Sequence, residues 1–343
     1  MRCRILAFIA FALFASAPTA RAAEITAVVG KEAIEFKSGS VVVAKYAIDP
    51  KLSKPFLYPV LAPNGVPVTR AWPMEKGLPG EVTTDHIHQK SVWFCHGDVI
   101  PEGIEIKVKS NEKNGKGVDF WSEVKDKDGK PRHGQMTVTK VGEPKKGEGS
   151  VSVETQNEWF TPDGVKMLDE TRVITFSETP EGRLFVFDIT LKANSCPITF
   201  GDTKEGSFGI RTHDSLRPSE KEGATVTTAG GDVVMPPKKD NLPIWGFPTP
   251  WIDYSGKVDG KAVGIAVFDG PSNPKANWHV RAYGLNAANP FGRNGSGFPT
   301  QKGKTDLLKI EKGGELKLKY GVYAHTGDVK AGKVAEAFEA FKK

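Results

Sequence analysis

Three of the chain's seven histidines and two carboxylates fall within fourteen residues, Asp85-His86-Ile87-His88-Gln89-Lys90-Ser91-Val92-Trp93-Phe94-Cys95-His96-Gly97-Asp98. Imidazole titrates near neutrality and is the commonest metal ligand. Its concentration beside Asp85 and Asp98 therefore points to a metal site or an acid–base site. Alternate residues of a strand share a face, so the spacing predicts that His86 and His88 point together. By the same parity His96 pairs with Asp98, and Trp93 and Cys95 fall on the opposite face. His86, His88 and His96 could hold a copper, iron or zinc ion as three nitrogen ligands. They could equally bind sugar or move protons, or form a hydrogen-bonded structural cluster under a loop.

Other constellations could complete such a site. In Trp278-His279-Val280-Arg281-Ala282-Tyr283, alternation predicts His279, Arg281 and Tyr283 on one face, where a guanidinium fork can grip carboxylates or hydroxyls. In Leu168-Asp169-Glu170-Thr171-Arg172, Glu170 shares parity with apolar residues, so it is either ion-paired to Arg172 or catalytic. Glu158 and Asp188 are weaker candidates of the same kind. The Gly-rich bend 200–211 carries Asp202, Glu205 and Arg211, but without the GxxxxGK[ST] spacing of a phosphate loop. Trp245, Phe247, Trp251, Tyr254 and the run Asn289-Pro290-Phe291 are expected in loops, where aromatic faces can stack on sugar rings.

These side chains need a scaffold, and the chain reads as strands throughout. Strand-like runs recur at 25–29, 40–46, 103–108, 135–141, 150–159, 166–176, 183–191, 207–211, 224–228, 262–268, 278–283, 307–310 and 315–323. Asp-Gly, Asn-Gly and Pro-rich turns separate them, the signature of a sandwich or barrel. One helix is expected, at the C-terminus, where Asp328 can cap and Val334, Phe338 and Phe341 stack at helical spacing. The expected fold is all-β, a large antiparallel β-sandwich over residues 23–343 forming one domain.

Residues 1–22 read as an export signal. Arg2 and Arg4 precede an apolar run, and Ala20-Arg21-Ala22 fits a small-x-small cleavage site. No later run approaches the roughly 18 apolar residues of a transmembrane helix, so a periplasmic or extracellular protein without stable membrane insertion is expected. Removing Arg2, Arg4 and Arg21 lowers the formal charge from +6 to +3. No basic stripe interleaves with aromatics, which argues against nucleic acid as a partner. Cys95 and Cys196 remain, as a disulfide or as two buried thiols.

Four blocks carry a resemblance that covers nearly all of the mature chain. They are the run 59–70, Asp85-His86-Ile87-His88 with Trp93 through Asp98, Gly201 through Gly206, and Trp278 through Arg281 with Ala288 through Gly292. Together they resemble the exported bacterial family labelled "methane oxygenase PmoA", with a departure at Ile87 or Gln89, where that family more commonly has a further histidine. The membrane-bound subunit of that name is built of transmembrane helices, which this chain lacks after its signal, so the resemblance imports no methane oxidation. It implies a β-rich secreted protein similar to the galactose-mutarotase supersandwich, where histidines and a carboxylate on the sheet handle sugars. The expectation is a carbohydrate-active protein acting on a sugar or glycan by hydrolysis, elimination or epimerisation. His86, His88, His96, Asp98, Glu170 and His279 are the catalytic candidates. Trp93, Glu205, Arg211, Trp251, Arg281, Tyr283 and Asn289 are the substrate-binding ones. The alternatives are a copper- or iron-dependent oxidoreductase using His86, His88 and His96, and a non-catalytic glycan-binding envelope protein.

Overall fold

Apolar and aromatic residues at alternate positions build two large antiparallel sheets. The computed structural model describes residues 23–108, 115–218, 224–233 and 241–343; the expected export segment, 1–22, lies outside them. The first sheet has eight strands in the order Ile25–Val29, Ala33–Ser38, Val41–Ala47, Phe56–Val60, Val92–His96, Gly206–Arg211, Leu285–Asn289 and Asn277–Val280. The second has ten. Its path runs Gly231–Val233, Thr225–Thr228, Trp251–Val258, Lys261–Asp269, Glu315–Thr326, Gly182–Lys192, Lys166–Glu178, Ser150–Phe160 and Gln135–Val141, with Lys145–Gly147 paired beside Ser150–Phe160. A three-stranded sheet of Leu308–Ile310, Ile198–Phe200 and Val99–Pro101 lies apart from both.

The two large sheets pack face to face through aromatic side chains, as a sandwich requires. Phe208 sits with its ring 4.7 Å from Tyr320 and 5.1 Å from Phe187, and Phe36 sits 5.6 Å from Phe185. Phe94 meets Trp159 at 6.1 Å. These contacts assign one face of each sheet to the core. They leave the other face of the eight-stranded sheet, carrying Trp93 and Gly209, to be covered by loops.

One charged group crosses the core. Arg172 Nε donates to Glu170 Oε1 at 2.6 Å, and its Nη1 donates to the Tyr46 hydroxyl of the facing sheet at 2.7 Å. Glu170 also accepts from Asn157 Nδ2 at 3.0 Å and Trp159 Nε1 at 2.8 Å. Both charges are buried and paired, the arrangement that makes a desolvated ion pair tolerable.

The helix Val334–Phe341 buries Val334, Phe338 and Phe341 against Trp251, Phe268 and Tyr323 on the outer side of the ten-stranded sheet. Asp328 caps the turn ahead of the helix, accepting from Lys330 N and Ala331 N, while Lys333 occupies the N-cap position. Two strand expectations need correction. Residues 103–108 form no strand, and Trp251–Val258, expected as loop, is a strand paired on both sides. Asp253, Ser255 and Gly256 depress its intrinsic β-propensity. Two flanking ladders and the 2.8 Å hydrogen bond between His325 Nε2 and buried Asp253 override that preference. Cys95 and Cys196 are buried free thiols.

Replacing Arg172 by Met leaves Glu170 buried without its cation and should cost about 3–5 kcal/mol of stability. Urea unfolding checks this; a loss below about 1 kcal/mol would mean that the pair does not tie the sheets together.

Candidate functional site

Strand alternation turns Trp93, Gly209, Arg211, Ala287, Asn289, Asn277 and His279 toward the loop-covered face of the eight-stranded sheet. Trp93 forms the floor, and the Trp121 ring rests on it edge-on at 5.2 Å. Gly209 makes room for both indoles. A Cβ there would stand 2.8 Å from Trp93 Cζ2 and 3.3 Å from Trp121 Cη2. Trp121 is fixed at both backbone ends, its N–H donating to Asp119 Oδ1 at 2.8 Å and its carbonyl accepting from buried Lys54 Nζ at 3.0 Å. Lys54 and Lys90 share Glu123, at 3.3 and 2.6 Å. Burial opposes the Glu123 charge, but the two ammonium groups prevail and hold its carboxyl at about 2.

A loop over residues 81–90 closes one side. Asp214 pins its start, accepting from Val82 N at 2.8 Å and Thr83 N at 2.6 Å. Asp85 pins its middle: one oxygen accepts from Arg70 Nη1 at 2.5 Å and Arg211 Nη2 at 3.0 Å. Arg70 further donates to the His86 carbonyl, and Arg211 donates to Gln89 Oε1 at 2.7 Å. The loop is a turn rather than the expected strand, and His86 takes the left-handed conformation at φ 45°, which a residue with a Cβ adopts only under local constraint. Burial alone would raise the Asp85 pKa, but the hydrogen bond from His86 Nδ1, at 2.7 Å, and the two guanidinium groups bring it well below the usual carboxylate range. The Arg211 guanidinium lies 4.5 Å over the Tyr283 ring, and the His86 ring stacks on Tyr283 at 5.0 Å.

The imidazoles and one further carboxylate continue the row. His86 and His88 meet edge to face at 5.6 Å, His88 stands 6.4 Å from Trp121, and Trp121 stacks over His279 at 6.5 Å. His279 Nδ1 is 3.8 Å from Glu205 Oε2. His279 is buried, neither of its ring nitrogens makes a well-formed hydrogen bond among the described residues, and the Lys204 carbonyl is the backbone group that acts on it. Burial pushes His279 down to about 4 although Glu205 pulls the other way. Burial, with Lys54 and His86, pushes His88 down to about 3. Both rings are therefore neutral near pH 7. Burial works to raise Glu205, but His279 when protonated, and Lys204, outweigh it and its pKa is lowered. Asn289 sets the Glu205 loop in place. Its Nδ2 donates to the Thr203 and Lys204 carbonyls at 2.9 and 3.1 Å, and its Oδ1 accepts from Phe291 N and Gly292 N.

Of the sequence candidates, His86, His88, His279, Glu205, Arg211, Tyr283 and Trp93 thus meet on one face. Arg281 lies at its rim, 5.7 Å over Tyr283 and bonded to Asn241. The expected His279–Arg281–Tyr283 alternation breaks because the strand ends at Val280, and residues 281–284 form a turn closed by Gly284 N on the Arg281 carbonyl. Other candidates lie elsewhere. His96 is buried between Phe200 and Phe291, with Nε2 2.8 Å from the Gly201 carbonyl and Nδ1 3.3 Å from Ser207 Oγ. Asp98 is used by Lys116 N and Gly117 N in a loop, Glu170 by the core pair, and Trp251 by the C-terminal helix. Among the described residues no three of His, Cys, Asp or Glu converge as metal ligands, and both His96 nitrogens are engaged, so the set His86, His88 and His96 does not form. Arg70, Lys54, Gln89 and Trp121 were not singled out from sequence. Arg70 and Gln89 lie within or beside the quoted blocks, but Lys54 and Trp121 carry no local signature of their long-range contacts.

The chain belongs to the family described as a family of unknown function (DUF6807), whose profile matches residues 33–339. That family bears no functional name, and no comparison attaches the methane-oxygenase label to the chain. No curated protein matches. Among solved structures, a galactose mutarotase-like protein from Clostridium acetobutylicum is similar at 11% identity and TM-score 0.43, over 89% of this chain and 99% of that one. An alpha-galactosidase from Lactobacillus brevis aligns at 8% identity and TM-score 0.41, over 93% of this chain but 41% of its own. A galactose mutarotase related enzyme from Lactobacillus acidophilus aligns at 10% identity and TM-score 0.30, over 89% and 99%. Likeness of fold assigns no chemistry, which resides in the side chains of the site.

Unfolded histidines take up protons near pH 6.5, whereas His88 and His279 resist until about 3 and 4. The unfolded state therefore binds more protons below about pH 6.5, and stability falls as pH drops from there toward about 4. Imidazole NMR should show both rings neutral at about pH 6, with urea midpoints falling between about pH 7 and about pH 5. Rings that titrate near 6.5 would contradict the burial.

Proposed function

We propose that the protein is a carbohydrate-active enzyme that moves protons on a sugar by isomerisation or elimination, with Glu205 as base and neutral imidazole as acid. The observation that carries this reading is His279. A buried imidazole with no well-formed hydrogen bond at either nitrogen, the Lys204 carbonyl its one backbone neighbour and a carboxylate 3.8 Å away, is costly unless a ligand completes its hydrogen bonds. A polyhydroxylated ring offers donors and acceptors together, and the aromatic surfaces of Tyr283 and Trp121 can meet the apolar face of such a ring.

Two carboxylates face the site and their surroundings separate their roles. Asp85 is consumed by two guanidinium groups and His86. Held well below the usual range, it has no proton to give a leaving group, which the two-carboxyl route of glycoside hydrolysis requires. Glu205 is ionised, has Lys204 as its close partner at 2.5 Å, and borders His279. One carboxylate base beside neutral imidazole donors suits proton abstraction with electrophilic assistance at a sugar oxygen. Arg211, Arg70 and Gln89 are positioning residues that hold the loop carrying His86 and His88. The export reading of residues 1–22 puts this activity outside the cytoplasm and belongs to the same proposal.

Incubating the full chain with a sugar and glycan panel tests the reading, using NMR for anomer or epimer exchange, absorbance for elimination, and reducing-end release for hydrolysis. Exchange or elimination is expected, and Glu205→Gln should lower kcat by about 10²–10⁴-fold without loss of fold. Binding without turnover would favour a glycan-binding protein. Turnover unaffected by Glu205→Gln would remove Glu205 as the base.

A further inference from the structure

A cavity of about 390 Å³ opens beside the candidate site, within the range of about 300–1,000 Å³ for small-ligand pockets. Asn277 lines it, two residues before His279 on the same strand and the same face. The two backbone positions are about 6.5 Å apart, a span that one sugar ring covers. Pro290, also in the lining, follows Asn289, which sets the Glu205 loop in place. The cavity and the proton-transfer residues are thus neighbours on one surface.

The lining charges are unbalanced. Lys275, Arg293 and Lys304 face a single anion, Asp306. Arg293 is 3.6 Å from Asp306 and spends Nε and Nη1 on the carbonyls of Asp306, Pro290 and Gly292. That pairing leaves Lys275 and Lys304, neither of which has an ion pair among the described residues. The same lining holds Asn277 and Gln301, both buried and joined by a 3.1 Å hydrogen bond. Paired amides are hydroxyl-recognition groups, and two uncommitted ammonium groups are anion-recognition groups.

We infer that this cavity is a subsite for an anionic sugar unit, bearing a carboxylate or a sulfate, of a glycan whose adjoining unit lies over His279 and Glu205. The inference rests on the proposed function and names its substrate class: acidic rather than neutral glycan. The amides bind ring hydroxyls, and Lys275 and Lys304 neutralise the substituent.

Calorimetric titration of the full chain with neutral, uronate and sulfated oligosaccharides of equal length tests this. At least one anionic ligand should bind about tenfold tighter than the neutral one, with an advantage that shrinks as salt is raised. The double variant Lys275→Met/Lys304→Met, at exposed positions, should bind all three alike. A preference for uronate over sulfate, or the reverse, identifies the substituent. Equal affinity for neutral and anionic ligands, or an anionic preference that survives the double variant, overturns the subsite and leaves the sugar reading intact. Absence of binding to any glycan overturns both.

Discussion

A single carboxylate, Asp85, joins three parts of the molecule that chain order keeps apart. Its Oδ1 meets Arg70, from the segment after the fourth strand of the first sheet, and Arg211, from the end of a central strand. Both guanidinium groups are fully buried, and an unpaired buried charge costs several kcal/mol. Because Asp85 is the side-chain anion bonded to both, the loop that carries it cannot lift away without stranding two cations. The position of His86 and His88 follows from that constraint. Arg211, fixed by Asp85 and Gln89, in turn offers its flat face to Tyr283 at 4.5 Å, and Tyr283 stacks with His86. The circuit closes on itself through loop, strand and turn.

Burial then determines what the histidines can do. In water an imidazole is partly charged at neutral pH, but beside Lys54 and under Trp121 the charged form of His88 is disfavoured. His279 has Glu205 to favour its charge, yet desolvation prevails. Neutral rings can both donate and accept hydrogen bonds. Gly209 leaves room beside these rings for the edge-on Trp93–Trp121 pair.

Much of this arrangement was legible in the sequence, and the losses have physical reasons. Short alternating runs and turn dipeptides announced an all-β sandwich, and the Val334, Phe338, Phe341 spacing announced the helix. Period-two parity placed Trp93 and Cys95 on one face of their strand, where ladder pairing also puts them. Parity failed at His86 and His88, because it assumes extended backbone and the chain there turns through a left-handed residue. It failed again past Val280, where the strand ends before Arg281. Glu170 was ambiguous because an inward carboxylate reads alike whether its partner is a substrate or Arg172. Lys54 and Trp121 left no trace, since the bond between them spans 67 residues and no local pattern encodes it.

Asp85 and Glu205 show why composition alone does not separate a structural carboxylate from one open to a ligand. Both are carboxylates on one face, and both are shifted toward the ionised form. Asp85 owes its shift to hydrogen bonds with His86 and two guanidinium groups, partners that occupy its lone pairs and leave it structural. Glu205 is lowered against its burial while Lys204 bonds its Oε1 at 2.5 Å, and its Oε2 faces His279 at 3.8 Å, beyond hydrogen-bond range. With only Oε1 committed to Lys204, Oε2 stays free to accept from a ligand. The difference lies in partner distance rather than residue type, and partner distance is a property that only the folded chain possesses.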